Sequence, residues 1–263
     1  VALPDGVEGL LAALGDDPAG TGIFCDFDGT LAEIVDVPSE ARPVDGAVDA
    51  LAALAHTFAR VAVISGRPAR FLADHLGSSG VLLAGLYGLE RVEKGEVEVT
   101  EEARRWEPVV AEVAERARRD APEGLGIEPK GLTITFHFRT APDLEDATRQ
   151  LAEREADATG LVAAPGRLSW ELRPPVRTSK GTVVAEAAAG LSAACFLGDD
   201  HGDLTAFDAL DELGAGGATV VRVAVRSAES PDELLERADL VVDGPAEVVE
   251  LLRRLAGVSP ATG

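Results

Sequence analysis

Methionine is absent from these 263 residues, cysteine occurs twice and lysine three times. Two cysteines are too few for a disulfide framework. Cys25 and Cys195 each sit in an apolar run, the setting of a buried, reduced thiol. Aromatic residues contribute 4%, so a core drawn from the 46% hydrophobic fraction is built of Ala, Val and Leu. No uncharged run is long enough to span a bilayer. No basic stretch followed by an apolar one marks the N-terminus, so the expected location is cytoplasmic. Internal repeats and low-complexity tracts are lacking beyond a general richness in alanine.

Positive charge is also scarce. There are 24 basic residues against 46 acidic ones, a net charge of -22. Such a surface repels nucleic acid and anionic lipid, and neither is expected as a partner. It would repel a phosphorylated ligand too, so any anion must be met by local cations. Arginine has taken over almost every basic position. The remaining lysines, Lys94, Lys130 and Lys180, are candidates for places that need a compact ammonium. Lys94, in "EKGE", reads as a turn and needs no such role.

"GIFCDF" (22–27) is apolar on both faces, as in a buried parallel strand. Helical spacing over 44–57, a buried strand "RVAVIS", a helix "RPARFLADHLG" closed by Gly77, and a strand "VLLAG" follow. This alternation predicts a doubly wound, mostly parallel α/β sheet, Rossmann-like in its winding. The rhythm then changes. A hairpin over 91–99, one charged helix over 101–120, strands within 124–139, a helix over 142–160 and a hairpin turning at Pro165-Gly166 make an α+β unit. After Pro175 the first rhythm resumes. The predicted organisation is a discontinuous core, 1–91 with 176–263, and an inserted α+β cap domain over 92–175.

The first core strand ends in Asp26, with Asp28, Gly29 and Thr30 after it. Residues i and i+2 of a strand share a face. Two carboxylates so placed either stabilise a turn or flank a cation that lets both ionise. The second strand ends in Ser65-Gly66-Arg67, either a helix cap or an anion cradle of a hydroxyl and backbone N–H groups. Lys180 opens a helix, where the dipole disfavours a cation unless an anion faces it. "ACFLGDDHGD" ends another buried strand and supplies Asp199, Asp200 and Asp203, hard oxygen donors suited to Mg2+.

These four pieces, in this order, resemble the motifs of the haloacid dehalogenase-like phosphatase superfamily. "DFDGT" is similar to its nucleophile motif; Ser65, Lys180 and "GDDHGD" are similar to the second, third and fourth. Within it the chain is most similar to the trehalose-6-phosphate phosphatase family, through "EPKGLTITFHFR" and "WELRPPVRTSKG". Tyr87 stands where that family often has His, and Gly202 where it often has Thr.

The resemblance implies Asp26 as nucleophile and Asp28 as general acid and base. It implies Mg2+ on Asp26, the Asp28 carbonyl and Asp199, with Asp200 and Asp203 orienting the metal shell and Lys180. Ser65, backbone N–H groups near Asp28, and Lys180 would hold the phosphoryl oxygens, and Gly66 and Arg67 would also bind the substrate. Glu128, Lys130, His137, Arg139, Glu171 and Arg173 would read the sugar, the His137 and Arg139 side chains sharing one strand face. The implied substrate is a phosphorylated disaccharide, trehalose 6-phosphate. The alternatives are a phosphatase for sucrose phosphate or a mannosylglycerate phosphate, a phosphosugar mutase, and an inactive regulator bound to a partner synthase.

Overall fold

The computed structural model describes residues 6–77, 80–93, 95–227 and 230–257; Lys94 lies outside them. In chain order the elements are α1 (Val7–Gly15), β1 (Thr21–Cys25), α2 (Ala47–Thr57), β2 (Arg60–Ile64), α3 (Ala69–Leu76), β3 (Leu82–Gly85), β4 (Glu90–Glu93) and β5 (Glu96–Val99). Then come α4 (Glu101–Arg104), α5 (Glu107–Asp120), β6 (Gly126–Pro129), β7 (Ile134–His137), α6 (Glu145–Thr159), β8 (Val162–Gly166) and β9 (Ser169–Arg173). The chain continues with α7 (Lys180–Ala187), β10 (Ala193–Gly198), α8 (Leu204–Ala215), β11 (Thr219–Arg226), α9 (Asp232–Arg237), β12 (Leu240–Asp243) and α10 (Gly244–Leu255). Two compact units result: Val1–Glu98 with Thr178–Gly263, and Val99–Arg177.

The first unit is a three-layer α/β sandwich. Among the described residues its sheet runs β12-β11-β10-β1-β2-β3-β4-β5. It is parallel from β12 to β3, and β4 pairs antiparallel with β3. Alternate residues of each strand feed opposite layers. Ile23, Cys25, Cys195 and Leu197 pack with α1, α2 and α10, while Phe24, Ala194 and Phe196 pack with α7 and α8. Both cysteines are buried free thiols, and burial raises the pKa of each. The chain winds from β1 through β2 to β3, then returns to β10 on the other side of β1. The carboxyl ends of β1 and β10 therefore flank the point where the winding reverses, which is where open α/β sheets bind ligands.

The second unit is a four-stranded sheet, β6-β7-β9-β8, all antiparallel neighbours. Ile134, Phe136 and Leu172 pack against Val110, Val113 and Ala114 of α5 and Leu151 and Ala152 of α6.

Several sequence expectations are corrected. The hairpin β4–β5, assigned above to the inserted segment, extends the main sheet. The single helix expected over 101–120 breaks at Arg105–Trp106. Pro108 lies in the first turn of α5, and its ring and missing N–H bar a continuous helix through that point. The β8–β9 turn is at Arg167–Leu168 rather than Pro165-Gly166, with Leu168 at φ 47. The short helix α9 carries only one buried residue, Leu234, too little periodicity to read from sequence.

Candidate active site

Asp26 directly follows β1, and its N–H donates to the Leu197 carbonyl at 2.9 Å, which carries the sheet one residue past the strand. The chain then turns sharply: the N–H groups of Leu31 and Ala32 both donate to the Phe27 carbonyl. This turn parts the two acids that a continued strand would have put on one face. Asp26 meets Lys180, whose Nζ lies 2.9 Å from Oδ1. Asp28 meets Arg67 in a two-pronged pair, Nε to Oδ2 at 2.7 Å and Nη2 to Oδ1 at 2.6 Å.

Lys180 is the first residue of α7 and is 3% exposed. Ser179 before it closes a reciprocal cap with Thr182, which fixes where the helix starts. The Lys180 ammonium also donates to Asp203 Oδ1 at 2.6 Å. The other Asp203 oxygen accepts the N–H groups of Asp199 and Asp200, at 2.9 and 3.0 Å. Asp203 thus ties the loop after β10 to the lysine. Asp200 lies at the rim, 3.7 Å from the ammonium, and its Oδ1 accepts the Gly202 N–H at 2.8 Å.

Oxygens of Asp26, Asp199 and Asp203, all buried, lie within 4.8 Å of one another. Burial raises the Asp26 pKa; Lys180 lowers it, but Asp200, Asp199 and Asp28 raise it further, to about 8. Burial alone would lower the Lys180 pKa, but Asp200, Asp203 and Asp26 outweigh that and hold it well above the ordinary value. One ammonium does not balance this many buried carboxylates. Gly29, at φ +82, has no Cβ because one would sit 2.2 Å from Asp199 Oδ2. Close-set hard oxygens short of positive charge fit a divalent cation. The Asp28 carboxylate does not belong to this group, because Arg67 holds it.

Ser65 does not cap α3, which begins at Ala69. The Ala69 N–H is met instead by Glu90 Oε2 at 2.7 Å. Ser65 Oγ accepts the Arg67 N–H at 3.2 Å and is buried. The Arg67 guanidinium stacks 4.8 Å over the Phe71 ring and donates to the Pro38 carbonyl. Gly66 leaves room for Tyr87, whose hydroxyl would lie 2.7 Å from a Cβ there. Tyr87 itself is at φ 58, in left-handed backbone that costs a non-glycine residue about 1 kcal/mol or more. Its N–H donates to the Ser65 carbonyl at 3.0 Å, and its carbonyl accepts from Thr178 Oγ1 at 2.6 Å. No sequence signal marks Glu90, and only the departure from the family at position 87 marks Tyr87.

In the second unit, Glu128, Lys130, His137, Glu171 and Arg173 form one network. His137 Nε2 lies 2.8 Å from Glu128 Oε2, and Lys130 Nζ lies 3.7 Å from the same oxygen and 3.5 Å from Glu171 Oε1. Arg173 Nε is 3.7 Å from Glu171 Oε2. Register makes this a single face: Glu128 stands opposite Thr135, and Thr135 opposite Glu171. Arg139 does not share a strand face with His137, since β7 ends at His137 and Arg139 lies in the following turn.

Residues 24–238 match the protein-family model described as trehalose-phosphatase. The chain belongs to that family. A trehalose-phosphate phosphatase of Mycolicibacterium paratuberculosis is 34% identical, over 97% of this chain and 65% of that protein. One of Mycobacterium leprae is 32% identical, over 97% of this chain and 62% of that protein. The chain therefore spans somewhat under two thirds of the length of these relatives. The solved C-terminal domain of the C. albicans trehalose-6-phosphate phosphatase is 25% identical, covers 98% of this chain and 100% of its own, and gives a TM-score of 0.78. The fold of that solved domain is shared by this chain, an α/β unit interrupted in sequence by a smaller α+β unit. Among the described residues no helix is long and apolar enough to cross a membrane.

Proposed function

We propose that this trehalose-phosphatase family member hydrolyses trehalose 6-phosphate to trehalose and inorganic phosphate, with Mg2+ and through a phosphorylated Asp26. The observation that carries the reading is the Lys180 ammonium between Asp26 and Asp203, beside Asp199, where the sheet winding reverses.

Asp26 is the nucleophile: a carboxylate oxygen attacks phosphorus, and the bond from phosphorus to the sugar oxygen breaks. Asp28 delivers the proton that the departing oxygen needs. It then takes a proton from the water that attacks phosphorus, which frees phosphate and restores the Asp26 carboxylate. Arg67 takes one lone pair on each Asp28 oxygen, so the proton is exchanged through a remaining one while the carboxyl stays oriented. Ser65, the Gly66 backbone, Arg67 and Lys180 bind phosphoryl oxygens, and Lys180 keeps the nucleophile oriented. A divalent cation held by Asp26, Asp199 and the Asp28 carbonyl would supply positive charge against the repulsion between carboxylate and phosphate. Asp203 and Asp200 set the loop and lysine around it.

We assign sugar recognition to the α+β unit Val99–Arg177, acting as the cap. Glu128 and Glu171 accept from hydroxyls, and Lys130, His137, Arg139 and Arg173 donate. The scarcity of lysine supports Lys130 in particular. No nucleic acid or membrane takes part, and a cytoplasmic location suits two buried free thiols. The test is phosphate release from a panel of phosphorylated sugars with and without Mg2+. Preference for trehalose 6-phosphate, lost on chelation, supports the reading; preference for sucrose phosphate or a mannosylglycerate phosphate, or transfer of phosphate between sugars, replaces it.

A further inference from the structure

Glu171 is 6% exposed, and its two oxygens are treated unequally. Oε1 accepts the Thr133 hydroxyl at 2.9 Å and the Thr135 hydroxyl at 3.4 Å, with Lys130 Nζ at 3.5 Å. Oε2 has Arg173 Nε at 3.7 Å, beyond hydrogen-bonding distance. Thr133 is wholly buried. A hydroxyl in that position needs an acceptor, and Glu171 is the one it has.

The same tight turn presents Lys130 and Thr133. The Lys130 N–H donates to the Thr133 carbonyl at 2.8 Å, and Gly131 makes the turn at φ +85. One backbone feature thus delivers both an ammonium and a hydroxyl to Oε1. Threonine is stiff at χ1, so its hydroxyl is a fixed peg where a longer side chain would swing.

We infer that Thr133 is a positioning residue for sugar recognition: its hydroxyl, backed by Thr135, pins Glu171 by one oxygen and leaves Oε2 as the acceptor for a sugar hydroxyl. The inference rests on the proposed role of Glu171 as a sugar contact. With an aliphatic group at position 133, Oε1 loses its shortest donor. The carboxylate is then free to rotate toward Lys130, and the acceptor geometry offered to the sugar is lost.

The experiment is steady-state kinetics of Thr133→Val, Thr133→Ser and Glu171→Gln on trehalose 6-phosphate and on p-nitrophenyl phosphate, which has no sugar. The expected result for Thr133→Val is a rise in KM for trehalose 6-phosphate of about tenfold or more, the weight of a hydrogen bond to a charged group. The change on the aryl ester should be far smaller, and Thr133→Ser should restore most of the KM. An unchanged KM, an equal loss on both substrates, or no rescue by serine overturns the inference. If Thr133→Val does not fold, Thr135→Val, which removes the other hydroxyl on Oε1, is judged by the same selectivity. Glu171→Gln separates the two levels. Altered selectivity in Glu171→Gln but not in Thr133→Val defeats this inference alone; unaltered selectivity in both defeats the sugar role of Glu171 itself.

Discussion

Arg67 grips both carboxylate oxygens of Asp28, at 2.7 and 2.6 Å, while its guanidinium lies over Phe71. A planar fork in this geometry fixes the direction of a carboxylate. Arg67→Ala should therefore disturb proton delivery to the departing oxygen. The expected loss in kcat is about tenfold or more for sugar phosphates, which need the proton, and much less for p-nitrophenyl phosphate, which does not. Arg67→Lys, a point charge without the fork, should fall between. Equal losses on both substrates would confine Arg67 to phosphate binding.

Lys180 is enclosed by Asp26 and Asp203. Removing one member of a buried ion pair leaves uncompensated charge, typically a cost of about 3–5 kcal/mol. Lys180→Met should lower both the melting temperature and turnover at neutral pH. A variant as stable as the wild type would mean that the acids around position 180 take up protons in its absence at little cost.

The Asp26 pKa is raised from 3.8 to about 8 by burial first and by neighbouring acids next, against Lys180. The folded, metal-free protein thus binds a proton across this window that the unfolded chain does not. The Asp26 contribution is most favourable at the acid end and is lost as pH climbs through the window. Asp26→Asn carries no such proton. Its melting temperature relative to metal-free wild type should rise from about pH 5 to about pH 8. A difference independent of pH, from parallel thermal melts, would contradict this electrostatic picture.

Gly29→Ala places a methyl group 2.2 Å from Asp199 Oδ2 in backbone at φ +82. Strain of about 1 kcal/mol or more and a displaced carboxylate are the expected consequences. Thermal shift measurements should show a lower melting temperature and a weakened response to Mg2+. A full Mg2+ response would mean that Asp199 does not help hold the cation.

Much of the site was legible because β1 and β10 are short apolar runs that end abruptly in acids, and a strand end is a place that sequence can mark. The scarcity of lysine likewise singled out Lys180, which is 3% exposed among carboxylates. Pairings across the chain were not legible. Arg67 and Asp28 are 39 residues apart, and nothing in either neighbourhood names the other. The residues of the second unit read as separate pairs because their union depends on the register of β6, β7 and β9, which places Thr135 between Glu128 and Glu171. Thr133 was overlooked because a threonine beside a strand is ordinary for strand sequences. Sequence leaves Ser65 open between a helix cap and an anion cradle, because a hydroxyl followed by Pro68 is also a common helix start. Glu90, on β4, performs that task through a contact no local pattern encodes.

The central claim is that the Asp26 carboxylate itself takes the phosphoryl group. Borohydride reduces an acyl phosphate to an alcohol, so the enzyme can be quenched with it during turnover of trehalose 6-phosphate in Mg2+ and the peptides mapped by mass spectrometry. The account predicts homoserine at position 26, abolished by chelation and by omission of substrate. Steady phosphate release with Asp26 recovered unmodified, or reduction found at another acid, would contradict it.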